Sequence, residues 1–208
     1  MALTIYGIAF SRAFRSLWAV NELGLDYTHV PTHFMKESKQ PDYLAVNPNG
    51  RVPAMVDGDL VLFESMAINL YLARTYGAPL SIEDAADEAR AVQWSFWGVT
   101  ELESTLLRAM FTSLGLFGEE ADPEKANETL NKGCGRALGV LDRHLDGRDW
   151  LVGGSFSVAD LNVAGVLNLA RTGRLDLSRW PNVSGWLDRC YDRPGARKTL
   201  EMARSARG

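Results

Sequence analysis

The sequence predicts an α+β domain at the N-terminus followed by an all-α helical domain. Strand and helix patterns alternate over about the first 80 residues in the order βαβ, helix, ββ, helix, which is typical of a small mixed sheet with helices. Beyond that point apolar residues recur only at helical spacing. The change falls at the Pro/Gly turn of residues 77–80, so we expect domains at 1–78 and 87–208, joined by a linker at 79–86.

The first domain is predicted to begin with a βαβ unit. Leu3 to Ile8 has the apolar, β-branched composition of a buried strand. An amphipathic helix then starts at Ser11 and stops at Gly24, a residue that commonly ends helices. Asp26 to Val30 is the second predicted strand.

A helix, a hairpin and a second helix complete this domain. Lys39 to Val46 is a short helix, and a hairpin follows in which Val52 to Val56 and Leu60 to Phe63 are joined by the turn Asp57-Gly58-Asp59. Ser65 then opens a helix that reaches Tyr76. These elements leave the βαβ unit and the hairpin to form one sheet.

The second domain is predicted to begin with a long helix, roughly Asp87 to Leu114. One stripe of this helix is apolar and indicates core packing: Val99, Leu102, Leu106, Met110 and Leu114. A second stripe mixes aromatic and polar residues: Trp97, Glu101, Ser104 and Arg108. This mixed stripe faces either a cleft, a partner subunit or solvent.

Later helices carry clear start signals. Ser157-Val158-Ala159-Asp160 is a capping box, in which the serine hydroxyl and the carboxylate each satisfy amides at the start of a helix that runs to about Arg171. Trp180-Pro181 introduces a further helix that ends near Tyr191.

Composition excludes several classes of protein and partner. With 22 basic and 26 acidic residues the net charge is −4, so the chain offers no broad basic surface to nucleic acid. No apolar run is long enough to span a membrane, and the N-terminal stretch lacks the basic leader of a signal peptide, so we expect a cytoplasmic protein. No metal is expected, since the histidines do not have ligand spacing, and the cysteines are expected to be buried thiols. These residues are His29, His33, His144, Cys134 and Cys190.

Three segments of the first domain form a pattern together. They are Ser11-Arg12-Ala13-Phe14-Arg15, Asn47-Pro48-Asn49-Gly50-Arg51-Val52-Pro53 and Phe63-Glu64-Ser65-Met66-Ala67-Ile68. With the capping box, they resemble the soluble (cytosolic) glutathione transferases over essentially the whole chain, nearest to Ser-type bacterial and theta-like members. The resemblance implies a thioredoxin-like N-terminal domain, glutathione as co-substrate and a homodimer.

The resemblance also implies where glutathione binds. Val52 precedes a proline whose peptide bond is expected to be cis, and its backbone would pair with the cysteinyl backbone of the peptide, as in strand addition. Ser65 is expected both to cap its helix and to hold the γ-glutamyl carboxylate, while Glu64 accepts from the α-ammonium. Lys39 is expected at the glycyl carboxylate, unless it is merely solvated. Arg51 and Pro53 complete the predicted peptide-binding residues.

Two residues compete as hydrogen-bond donor to the glutathione sulfur. A free thiol has a pKa near 8.5, so a donor that stabilises the thiolate raises the fraction of active nucleophile. Ser11 lies where the first helix begins, and Tyr6 lies on the first strand. We expect Ser11 to be the donor and Tyr6 to pack beside the sheet. Because position 11 is not cysteine, conjugation, reductive dehalogenation or peroxide reduction is expected rather than formation of a mixed disulfide with the protein.

The electrophile is expected to bind in a pocket between the domains, although fold alone leaves a non-catalytic binding protein or an isomerase as alternatives. The residues predicted to line it are Phe10, Arg12, Trp97, Glu101, Arg108 and Phe111. Arg12 is alternatively a solvated residue over the helix start, and Trp97 and Phe111 are alternatively core residues. Glu101 is a candidate to reach the partner's γ-glutamyl amine.

Overall fold

A computed structural model of the protein describes residues 3–118 and 120–205. These residues form two compact units. The first comprises residues 3–83 and 191–205, and the second comprises residues 84–190.

The first unit contains a four-stranded mixed sheet with the strand order β2-β1-β3-β4. Strands β1 and β2 are parallel, whereas β3 pairs antiparallel with both β1 and β4. This confirms the predicted βαβ unit and hairpin. The strands are β1 (Leu3–Tyr6), β2 (Tyr27–Val30), β3 (Ala54–Asp57) and β4 (Leu60–Phe63).

The helices of this unit follow the predicted order. A 3-10 turn (Glu37–Lys39) and α2 (Pro41–Val46) replace the single helix predicted from Lys39. Helix α1 (Ala13–Glu22) packs against α3 (Ser65–Tyr76), and the side chains of Phe14 and Ile68 are fully buried. The sheet and these two helices therefore enclose the core of the unit.

The last helix, α9 (Pro194–Ser205), packs against α1 and so belongs to the first unit. The carboxylate of Glu22 is only 3% exposed; it accepts hydrogen bonds from Trp18 Nε1 at 3.0 Å and from Arg193 Nε at 2.7 Å. Because these contacts return the end of the chain to the N-terminal unit, the expectation of one helical domain over 87–208 needs correction. The helical unit ends at residue 190.

The second unit is helical throughout its regular elements, as predicted. The long predicted helix consists of α4 (Ala85–Trp97), a π-helical segment (Gly98–Glu103) and α5 (Ser104–Leu114). The remaining helices are α6 (Pro123–His144), α7 (Val158–Thr172) and α8 (Pro181–Tyr191). Of the predicted apolar stripe, Leu102, Leu106 and Met110 are buried, while Val99 and Leu114 are only partly buried.

The predicted capping box is present at the start of α7. Asp160 is fully buried and accepts from the Ser157 and Leu151 backbone amides, and also from Trp186 Nε1 at 2.8 Å. Burial raises the pKa of this carboxyl group to about 6. Across residues 3–118 and 120–205, no helix combines the length and apolar character that crossing a bilayer requires.

Candidate active site

Ser11 lies two residues before α1, and two backbone groups hold its side chain. Its Oγ donates a hydrogen bond to the carbonyl oxygen of Ile8 at 2.6 Å and accepts one from the Ala13 amide at 3.1 Å. The residue is half-buried. Because a hydroxyl has a single hydrogen, Ser11 can donate to a ligand only when it releases Ile8.

Gly7 is the point where the start of α1 meets the loop before β3. Its φ is +127°, and a Cβ atom there would lie 2.5 Å from Cβ of Ala13 and 3.1 Å from Cβ of Val52. The first distance is shorter than carbon atoms tolerate and the second is tight, and the positive φ also disfavours other residues, so glycine suits this approach. Gly7 therefore places the Ser11 segment next to Val52.

The backbone of the loop before β3 is held from one side by two buried side chains. The carbonyl oxygen of Arg51 accepts from the Tyr43 hydroxyl at 2.6 Å and from Asn47 Nδ2 at 2.7 Å. Tyr43 is 5% exposed, and burial raises its pKa to about 12, so it remains a donor at any physiological pH. The following bond, Val52–Pro53, is cis, as expected from the sequence.

Lys39 is tied to the same loop. Its Nζ donates to the carbonyl oxygen of Gly50 at 2.5 Å, and the residue is exposed. Arg51 is exposed as well. The structure thus brings two predicted basic residues to one loop, at the end that precedes Val52.

Tyr6 packs against residues of this loop and of its neighbouring elements. Its ring meets the ring of Tyr43 edge-on, with centroids 5.8 Å apart. Both rings belong to an apolar cluster with Val52 and Ala54. The ring of Tyr6 therefore contributes to the packing beside the sheet.

Glu64 and Ser65 form the junction between β4 and α3. Glu64 is exposed and adopts φ 72° and ψ 112°, a conformation that costs a non-glycine residue about 1–3 kcal/mol. Ser65 is the first residue of α3 and is 5% exposed; its Oγ accepts from Arg15 Nη1 at 3.3 Å. The interpretation of Ser65 as the cap of α3 is wrong, because no side chain caps this helix start and Glu64 occupies the cap position.

The other predicted pocket residues divide between the two units. Phe10 and Arg12 flank Ser11, the first partly buried and the second exposed. In the second unit, Trp97 packs edge-on against Trp94 and Phe111 against Phe117, with centroids 5.0 and 4.9 Å apart. Arg108 is exposed, and Glu101 forms an ion pair with Arg136 at 2.5 Å.

The three predicted segments of the first unit meet in the structure. Gly7 joins the Ser11 segment to the Val52 loop, and the Arg15–Ser65 hydrogen bond joins it to the start of α3. Sequence reasoning assigned no role to Gly7, Tyr43 or Asn47. A glycine near the end of the predicted first strand was a usable signal, whereas nothing in the local sequence shows which carbonyl oxygen a tyrosine hydroxyl will reach.

The two cysteines lack the exposure of a reactive thiol. Cys134 and Cys190 are free and buried, as predicted, and burial raises the pKa of Cys134 to about 11. Within the part of the chain that the structure describes, His, Cys, Asp and Glu residues form no cluster of three that could hold a metal ion.

Known proteins resemble the chain over nearly its whole length. Two family models match it, the glutathione S-transferase N-terminal domain at residues 1–74 and the glutathione S-transferase C-terminal domain at residues 105–194. Glutathione S-transferase 3 of Zea mays is 35% identical over 216 residues, covering 95% of this chain and 93% of the relative. The disulfide-bond oxidoreductase YfcG of Escherichia coli is 32% identical over 195 residues, covering 88% and 87%.

Solved structures of glutathione transferases are also similar to the chain. Glutathione S-transferase-I bound with lactoylglutathione superposes with a TM-score of 0.85 at 31% identity, over 97% of this chain and 100% of that chain. Glutathione transferase F7 from Populus trichocarpa gives a TM-score of 0.85 at 27% identity, over 97% and 99% of the two chains.

Proposed function

The chain belongs to the glutathione S-transferase family, and from that premise we propose that it activates the glutathione thiol for attack on a hydrophobic electrophile. The protein is a glutathione transferase, as its relatives and its fold indicate.

The convergence of three segments on one side of the first unit carries this proposal. The cysteinyl backbone of glutathione pairs with the backbone of Val52, and its γ-glutamyl carboxylate binds Ser65 and the amides at the start of α3. Glu64 accepts from the α-ammonium group. Lys39 and Arg51 supply positive charge for the glycyl carboxylate, since Arg51 belongs to the Val52 loop and Lys39 donates a hydrogen bond to that loop.

Ser11 is the proposed donor to the sulfur. The nucleophile is the thiolate, and a hydrogen bond donated to it lowers the thiol pKa toward neutral pH. The Tyr6 ring packs within the cluster beneath Val52, which favours Ser11 over Tyr6. The electrophile is proposed to bind beside the sulfur, with Phe10 and Arg12, which flank Ser11, as its contacts in the first unit.

Stoichiometry distinguishes the possible reactions. Conjugation consumes one glutathione per electrophile, reduction of a peroxide consumes two and yields glutathione disulfide, and isomerisation consumes none. We expect binding of glutathione by calorimetry and one-to-one consumption with at least one aryl halide, epoxide or unsaturated carbonyl compound. A protein that binds glutathione but turns over no member of such a panel would instead be a binding protein.

We further propose that the chain forms a C2 homodimer. Strand β4 is an edge strand, yet Leu60, Val61 and Phe63 are exposed on it, and Phe96 on α4 is 66% exposed. Monomeric proteins rarely leave contiguous apolar residues on an edge strand uncovered. Sedimentation velocity at micromolar concentration tests the dimer, and a single monomeric species would contradict it.

Two finer points follow from this proposal. Glu101 would have to leave its ion pair with Arg136 before it could reach a ligand held by a partner subunit.

A cytoplasmic location fits the two free thiols, because exported proteins usually oxidise such residues. Cell fractionation tests the location, and recovery outside the cytoplasm would contradict it.

A further inference from the structure

Arg15 is a buried cation directly behind the proposed γ-glutamyl site. It lies in the first turn of α1, where a positive charge opposes the helix dipole, and it is only 2% exposed. Burial of a guanidinium group is costly unless its N–H groups are hydrogen-bonded, and one of the acceptors that Arg15 uses is the side chain of Ser65.

The hydrogen bond from Arg15 to Ser65 fixes the direction of the serine hydroxyl. Arg15 Nη1 donates to Ser65 Oγ at 3.3 Å, and a guanidinium group has no acceptor. The single hydrogen of Ser65 therefore cannot point at Arg15 and is available to another acceptor. Asn69, one turn further along α3, donates to the carbonyl oxygen of Arg15 at 3.4 Å and helps to hold the two helices together.

Three features of this junction favour an anion at the same place. The first amides of α3 have no partner within the helix, Ser65 has a hydroxyl hydrogen to donate, and a permanent positive charge lies one hydrogen bond behind that hydroxyl. The charge polarises the hydroxyl and strengthens its bond to a negative acceptor.

We propose that Arg15 is a positioning residue for the γ-glutamyl carboxylate, acting through the hydroxyl of Ser65. The proposal rests on the assignment of this carboxylate to Ser65 in the proposed function. It predicts that Arg15 determines affinity for one functional group of glutathione and contributes little to the rest of the peptide.

Three peptides separate the groups: glutathione, 4-aminobutyryl-cysteinylglycine, which lacks the γ-glutamyl carboxylate, and glutaryl-cysteinylglycine, which keeps a carboxylate but lacks the amine. We expect Arg15→Gln to weaken binding of glutathione and the glutaryl peptide by about tenfold and to leave the aminobutyryl peptide within about twofold. Arg15→Lys, which keeps the charge, should restore part of the affinity for glutathione and the glutaryl peptide that Arg15→Gln loses. Arg74→Gln, which removes an exposed cation from the other end of α3, is the matched control and should change none of the three.

Calorimetric dissociation constants for the three peptides decide the matter, with circular dichroism to establish that each variant is folded. If Arg15→Gln does not fold, Arg15→Lys supports the same comparison, because the readout is the selectivity between peptides. Equal losses for all three peptides, or no loss for glutathione, would overturn the role of Arg15. If the unmodified protein itself fails to distinguish glutathione from the aminobutyryl peptide, the placement of the carboxylate at Ser65 is wrong and the proposed site fails with it.

Discussion

Replacement of Ser11 by alanine should raise the pKa of the bound glutathione thiol by roughly 0.5–1.5 units. A hydrogen bond to a charged acceptor contributes about 1.5–3 kcal/mol, but Ser11 must first give up its bond to the Ile8 carbonyl, which is worth about 1 kcal/mol. The difference of about 0.5–2 kcal/mol corresponds to that pKa change, because one unit equals about 1.4 kcal/mol.

The competing hydrogen bond from Ser11 to Ile8 also limits the effect of the substitution on catalysis. Removal of a single donor to a developing anion commonly costs a factor of about 10² to 10³ in kcat. Here the competing Ile8 carbonyl reduces the expected loss in kcat/KM to about 2- to 30-fold. Ser11→Ala should also lower the free energy of unfolding by about 1 kcal/mol, since the Ala13 amide loses its acceptor.

The assay is the pH titration of thiolate absorbance for glutathione bound to each variant. Ser11→Thr, which keeps the hydroxyl, is the matched control, and Tyr6→Phe should leave the titration in place. In Ser11→Cys, we expect one fast-reacting thiol that exchanges disulfides with glutathione, because both native cysteines are buried. If Ser11→Ala leaves the titration unchanged while Tyr6→Phe moves it to higher pH, the reasoning is refuted and Tyr6 is the donor.

Three further outcomes follow from the structure. Glu64→Gly should raise the free energy of unfolding by about 1 kcal/mol, because glycine relieves the strained φ, yet it should weaken glutathione binding at least tenfold. Urea unfolding measures the first effect and calorimetry the second. Unchanged binding would show that Glu64 is not part of the site. Tyr43→Phe should raise KM for glutathione severalfold with little change in kcat, because the backbone carbonyl oxygen of Arg51 loses one of the two side chains that donate to it. A loss confined to kcat would contradict this. The raised pKa of Asp160 contributes stability fully below the unfolded value of 3.8, and that contribution declines as pH rises through about 6. Relative to Asp160→Asn, the unfolding free energy should therefore fall by up to about 3 kcal/mol between pH 4 and pH 7, and a rise would show that the donors outweigh burial.

Local signals were sufficient to predict most of the fold. The strand pairs, α3 and the capping box of α7 lie where periodicity, turn residues and cap residues indicated them. Each of these signals acts over a few residues, so it survives without knowledge of the rest of the chain. The three segments proposed to bind the peptide were also recognisable, because their residue order is itself local.

Only the tertiary structure decided what those segments contact. The hydroxyl of Ser65 accepts from Arg15, 50 positions earlier, instead of capping its own helix, and the hydroxyl of Ser11 is already committed to Ile8. Helix α9 packs against α1, and Glu22 and Arg193, 171 positions apart, meet there in a partly buried ion pair. Sequence patterns indicate which groups can donate or accept, but the partner is chosen by the packing of distant elements, where an unsatisfied buried group costs about 1–3 kcal/mol.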